Sequence, residues 1–117
     1  MPTILNLHKD TSGGIIYAPD PTDTVQRFVL AANAEQHFTL PNSANPNIYV
    51  LAFSYTPGAS VFVGFNGVTA SVPSGVDTTA AELNPQERTV GGGTVVSLIT
   101  ADTSDIVTIA IWALQNP

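Results

Sequence analysis

No window of about a dozen residues in this chain repeats its apolar side chains at the 3.6-residue period of an amphipathic helix. Nine prolines and nine glycines cut the chain into pieces too short for one. The segments left between the cuts are strand-like, at residues 3–8, 14–17, 25–31, 36–40, 47–55, 60–66, 88–90, 94–100 and 106–114. Turn clusters such as DTSGG, APDPTD, PNSANP, TPGA, GGG and ADTSD separate them. Short strands at this spacing predict an all-β sandwich or barrel. The 117 residues suffice for one such domain with a single core.

Two regions depart from the rhythm. Residues 1–24 hold too little strand to pack a face of their own and read as an extended N-terminal arm ahead of a sandwich domain at 25–117. Residues 68–86 read as a long loop, the kind of segment through which a domain makes contacts. The stretch TVVSLITADTSDIVTIAIWAL poses the main packing problem. Along residues 106–114, Val107, Ile109, Ile111 and Ala113 alternate with Ile106, Thr108, Ala110, Trp112 and Leu114, so both faces are largely apolar. Residues 47–55 behave likewise. A strand buried on both sides needs a cover. Without a helix, the cover must come from the chain's own arm and loops or from another protein.

Charge narrows the partners. Charged residues make up 10% of the chain, against about 25% in an ordinary soluble domain. Only Lys9, Arg27 and Arg88 are basic, and the net charge is -6. Three scattered cations cannot build a phosphate-binding footprint, so neither nucleic acid nor an anionic membrane surface is expected as a partner. No apolar run approaches the ~18 residues of a membrane helix. The start, MPTILNLHKD, lacks the basic and apolar regions of a secretory signal, which predicts synthesis in a cytoplasm. Cysteine is absent, and with it disulfides and thiolate metal sites.

Catalytic and ligand motifs are sparse. His8 and His37 are the only histidines, and no Gly-x-Ser-x-Gly elbow occurs. His37, in QHFTL, reads as a strand-surface histidine. Asp20 and Asp23 lack the spacing and glycine of a calcium loop, and Asp102 with Asp105 reads as a polar hairpin turn. Glu82 and Glu87 are a weak candidate for a glycosidase carboxylate pair. Gly91, Gly92 and Gly93 lack the Lys-Ser/Thr and helix of a phosphate loop and read as a tight connection. Trp112 could stack on a sugar, but its place in a long apolar strand favours a core or interface role. No catalytic residue, cofactor or metal is therefore expected, and the chain reads as a non-enzyme.

From residue 28 onward the order EQHFTLP, NIYVLAFSY, VFVGFNG, a Pro/Gly loop, ELNPQER and a closing apolar strand pair resembles the decoration, or cement, proteins of tailed-bacteriophage capsids. The most similar feature is a VxVxFxG strand followed by a loop and ELNPxxR. The resemblance implies a jelly-roll-like antiparallel β-sandwich, a homo-oligomer (dimer or trimer), on the outer capsid surface of a virion. There it would bridge and stabilise major capsid subunits after synthesis in the host bacterial cytoplasm. Its contacts are expected from the arm, at Thr3, Ile4, Leu5, Leu7, Ile15, Ile16 and Tyr17, and from the loop region, at Glu82, Leu83 and Arg88. Arginine suits interfaces through its fork of donors. The alternative is a head-fibre or lectin-like module that binds carbohydrate or a receptor.

Overall fold

The computed structural model describes residues 2–5, 11–12, 20–42, 47–76 and 79–114. Among them are eight strands: β1 (Thr24–Ala31), β2 (Gln36–Thr39), β3 (Ile48–Tyr55), β4 (Val61–Gly64), β5 (Ala81–Leu83), β6 (Glu87–Gly91), β7 (Val95–Thr100) and β8 (Ser104–Leu114). The described residues contain no helix.

The strands form two four-stranded sheets, in the orders β1-β8-β3-β6 and β2-β7-β4-β5. Every strand pair is antiparallel. Four of the pairings, β1 with β8, β2 with β7, β3 with β6 and β4 with β5, are those of one long hairpin whose tip lies between β4 and β5. Rolling that hairpin brings β8 against β3 and β7 against β4, and the result is a jelly roll. The sheets stack with β1 over β2 and β6 over β5. Phe28 meets Phe38 at 5.7 Å between ring centroids on one side, and Arg88 reaches Glu82 on the other.

Alternation sets the core. The inward row of β8 is Val107, Ile109, Ile111 and Ala113, that of β3 is Tyr49, Leu51 and Phe53, and all are buried. From the opposite sheet Val61, Val63, Val96 and Leu98 meet them. Burying each such side chain contributes roughly 1.5–3 kcal/mol. Turn chemistry fixes the register. Thr56-Pro57-Gly58-Ala59 closes with the Ala59 amide donating to the Thr56 carbonyl at 2.9 Å, and Gly58 takes the positive φ of 80° that such a turn requires. Asn33, at φ 57°, turns β1 into β2 in the left-handed region that Asn tolerates.

The outer face of β8 is covered unevenly. At its C-terminal end Trp112 is 7% exposed, and its indole Nε1 donates to the Asp20 carbonyl at 2.7 Å. The arm residues therefore cover that end. Toward the other end Ile106 stays 36% exposed and its β1 neighbour Val29 52%.

The strand reading differs from the structure at two elements. Of the strand expected at residues 3–8, the described residues 3–5 form only an isolated bridge at Ile4, and residues 6–8 lie outside the described residues. Residues 81–83, expected inside a loop, form β5 on β4, with Val63 opposite Glu82. A three-residue strand carries too little alternation to show in sequence. The expected strand at residues 14–17 lies outside the described residues.

Candidate functional site

The arm residues expected to make contacts begin on this chain's own sheet. β1 begins at Thr24, opposite Ile111, which leaves Ala113 of β8 without a β1 neighbour on that side. Ile4 takes the place as a parallel bridge: the Leu5 amide donates to the Ala113 carbonyl at 2.8 Å, and the Ala113 amide donates to the Thr3 carbonyl at 2.9 Å. Thr3 is tied to the start of β1. Its amide donates to Asp23 Oδ1 at 3.1 Å, and the Asp23 amide donates to Thr3 Oγ1 at 3.0 Å. The Thr24 hydroxyl, together with these Thr3 contacts, holds the Asp23 carboxyl below the usual carboxylate range. Thr22 Oγ1 adds a bond to the Ile111 carbonyl. Leu7, Ile15, Ile16 and Tyr17 lie outside the described residues.

Glu82, Leu83 and Arg88 come together on the opposite lateral edge. Glu82 and Leu83 are on β5 and Arg88 is on β6, so the short sequence interval between them spans the two sheets. The guanidinium binds the carboxylate with two nitrogens, Nη2 to Oε1 at 2.7 Å and Nε to Oε2 at 3.0 Å. That fork holds the Glu82 carboxyl below its ordinary range. Nearby, the Tyr55 hydroxyl donates to the Pro85 carbonyl, and burial pushes its phenol well above the ordinary value. Leu83 stands 57% exposed beside the ion pair. The two sets of expected contact residues thus occupy opposite edges of the sandwich and do not form one site.

Two further polar clusters lie away from these edges. On the outer face of β7, Ser97 Oγ donates to Glu35 Oε2 and accepts the Ala70 amide at 2.9 Å, which pins the segment after β4 across the sheet. Glu35 Oε1 lies 3.2 Å from His37 Nδ1. A cavity of about 140 Å³ opens there. The carboxylate stands between serine and histidine, so the imidazole has no contact with the hydroxyl it would need to activate. The Ser97 hydroxyl, with a small assist from His37, holds Glu35 below its ordinary range. Sequence reasoning did not anticipate this cluster, because Glu35 and Ser97 are brought together only by the β2–β7 register.

At the β7–β8 turn, Asp102 Oδ2 accepts the Ser60 amide at 3.0 Å, and buried Asp105 accepts the Thr100 hydroxyl at 2.9 Å. Burial and the neighbouring Asp102 carboxylate raise Asp105. Among the described residues no group of three His, Cys, Asp or Glu could hold a metal ion, and no helix is long and apolar enough to cross a membrane. The buried Trp112 ring has no free face for a sugar.

Comparison with protein-family models, curated proteins and solved structures finds no match to this chain.

Proposed function

We propose that this chain is a non-enzymatic virion structural protein that decorates a tailed-bacteriophage capsid and stabilises it by bridging major capsid subunits on the outer surface. The observation that carries the reading is the placement of two contact sets on opposite edges of one small, rigid, charge-poor sandwich. The arm residues bridged at Ile4 lie on one edge, and Leu83 with the Glu82–Arg88 pair lies on the other. A bridge needs two separated faces, and many weak bridges on a closed lattice add by avidity. The order of the sequence segments and the VFVGFNG and ELNPQER motifs, which resemble those of decoration proteins, favour the same reading.

The test is co-sedimentation of the purified chain with undecorated, expanded capsids of the phage that encodes it, followed by heating. The expected result is binding at a fixed copy number and a higher temperature of shell rupture. Arg88→Ala and Leu83→Asp should weaken binding without unfolding the domain. Protein that stays in the supernatant with intact capsids refutes the proposal.

A further inference from the structure

The loop that leaves β4 is anchored at both ends and open between them. Phe65 packs edge-on against Phe53 at 5.8 Å between ring centroids, and Ser97 Oγ accepts the Ala70 amide at 2.9 Å. The intervening Asn66, Gly67, Val68 and Thr69 are all exposed. Gly67 takes a positive φ of 74°, and a Cβ built on it would meet nothing within 4 Å. Among the described residues, neither the Asn66 carboxamide nor the Gly67 amide makes a hydrogen bond.

An unbonded main-chain nitrogen beside an unbonded carboxamide is a reactive pair. Glycine has no Cβ to hinder the rotation that brings its nitrogen onto the Asn66 side chain. Every other asparagine lacks one of these conditions. Asn84 Oδ1 accepts the Val61 amide at 2.8 Å, its Nδ2 donates to the Ala59 carbonyl at 2.8 Å, and Pro85 after it has no N–H. Asn33 is followed by Ala34, whose amide already donates to the Ala31 carbonyl at 3.3 Å. Asn47 precedes the β-branched Ile48 at the start of β3. In the sequence, Asn6 and Asn42 precede Leu7 and Ser43, which carry side chains, and Asn45 and Asn116 precede prolines.

We propose that Asn66–Gly67 is a site of spontaneous covalent modification, at which the folded chain deamidates with water as the only co-reactant. The Gly67 amide gives up its proton to solvent base as its nitrogen bonds to Asn66 Cγ. The Cγ–Nδ2 bond breaks, Nδ2 leaves as ammonia with a proton returned from water, and a succinimide ring remains. Water then opens the ring at either carbonyl. Cleavage between the Gly67 nitrogen and Cγ leaves aspartate. Cleavage between that nitrogen and the main-chain carbonyl carbon leaves isoaspartate, with the chain routed through Cβ and Cγ and the α-carboxylate free. Either product adds one negative charge to the chain's -6. The new carboxylate stands on a cavity of about 470 Å³ lined also by Phe65, Gly92 and Thr94. Through Gly67 and Val95 this cavity adjoins the one beside Glu35. Isoaspartate also lengthens the backbone between the Phe65 and Ala70 anchors. The converted fraction grows with the age of the molecule, whatever the chain binds.

The test incubates the full chain in mildly alkaline buffer, folded and, in parallel, unfolded in guanidinium chloride. Peptide mapping by mass spectrometry follows the exchange of amide for acid at each asparagine. Isoaspartate is read by methyl transfer from S-adenosylmethionine with an isoaspartyl methyltransferase. In the folded chain, Asn66 should convert about fivefold or more faster than any other asparagine. Its folded rate should lie within about tenfold of its unfolded rate, as for a loop that needs no unfolding to react. Isoaspartate should be among the products. Asn66→Gln, at an exposed position and checked for folding by circular dichroism, should abolish the acidic form seen by isoelectric focusing. Folding that protects Asn66 about a hundredfold or more overturns the proposal. So does faster conversion at another asparagine of the folded chain, or an acidic form that persists in Asn66→Gln.

Discussion

Gly91, Gly92 and Gly93 are identical in sequence and should respond to alanine in three different ways. A Cβ at Gly91 meets nothing within 4 Å, and the backbone there is ordinary strand. Alanine restricts the unfolded chain and should be neutral or stabilise by up to about 1 kcal/mol. Gly92 lies where the β6–β7 turn touches the β2–β3 connection, with its amide donating to the Asn47 carbonyl at 2.8 Å. A Cβ at Gly92 would overlap Asn47 Oδ1 and stand 2.7 Å from the Pro41 carbonyl oxygen. The asparagine side chain can swing away, but the Pro41 carbonyl is backbone and moves only with its loop. Overpacking of this kind costs about 1–3 kcal/mol. Gly93 has room around it but sits at φ +78°, where alanine costs about 1–2 kcal/mol for backbone reasons alone. Equilibrium urea unfolding of the three variants at constant m-value, with thermal melts alongside, measures all three. For a domain of this size the Gly92→Ala loss should lower Tm by roughly 4–12 °C. Gly92→Ala within about 0.5 kcal/mol of wild type, or Gly91→Ala as destabilised as Gly92→Ala, would refute the close approach of these two connections.

Further perturbations probe the cover, the buried acid and the pinned segment. Trp112→Ala removes a buried ring and should cost about 3–5 kcal/mol in chemical denaturation followed by circular dichroism. Trp112→Phe keeps most of the volume but leaves the Asp20 carbonyl without its indole donor, and should cost about 1–2 kcal/mol. Asp105 is raised in the folded state, so its contribution is fully present below the unfolded carboxylate pKa and is lost as pH rises through the folded value. Asp105→Asn should therefore raise Tm at pH 7 and leave it nearly unchanged at pH 4, and an equal shift at both would contradict a buried ionised carboxylate. Glu35 is depressed, so the stability it contributes is present above the unfolded value and lost as pH falls through the lowered one. Ser97→Ala should reduce that acid-side loss, and it should speed amide exchange at Ala70, whose acceptor it removes.

Alternation made the long strands legible. β1, β3, β7 and β8 carry period-2 patterns long enough to be read directly, and their observed ends fall within two residues of those expected from sequence. β5 was not legible, because three residues among alanines and threonines hold no period and gain their identity only by pairing with β4. The two-faced apolarity of β8 posed the right question, and the answer is split: the arm covers Trp112, while the Ile106 end stays open. Glu82 and Arg88 were legible as residues of interest but not as a link between sheets, since six positions of sequence conceal a change of layer.

The rolled-hairpin order also governs when the molecule can form. β8 fills the gap between β1 and β3, yet it is the last of the strands to be synthesised. At about 5–20 residues per second, roughly 4–16 s separate the emergence of β1 from that of its partner. During that interval β1 and β3 each show an unpaired edge to solvent. The contacts that close the first sheet are distant in sequence, so that sheet cannot be completed until β8 has been made. Interrupting synthesis before residue 104 would leave a chain that has every strand but the one that closes its first sheet.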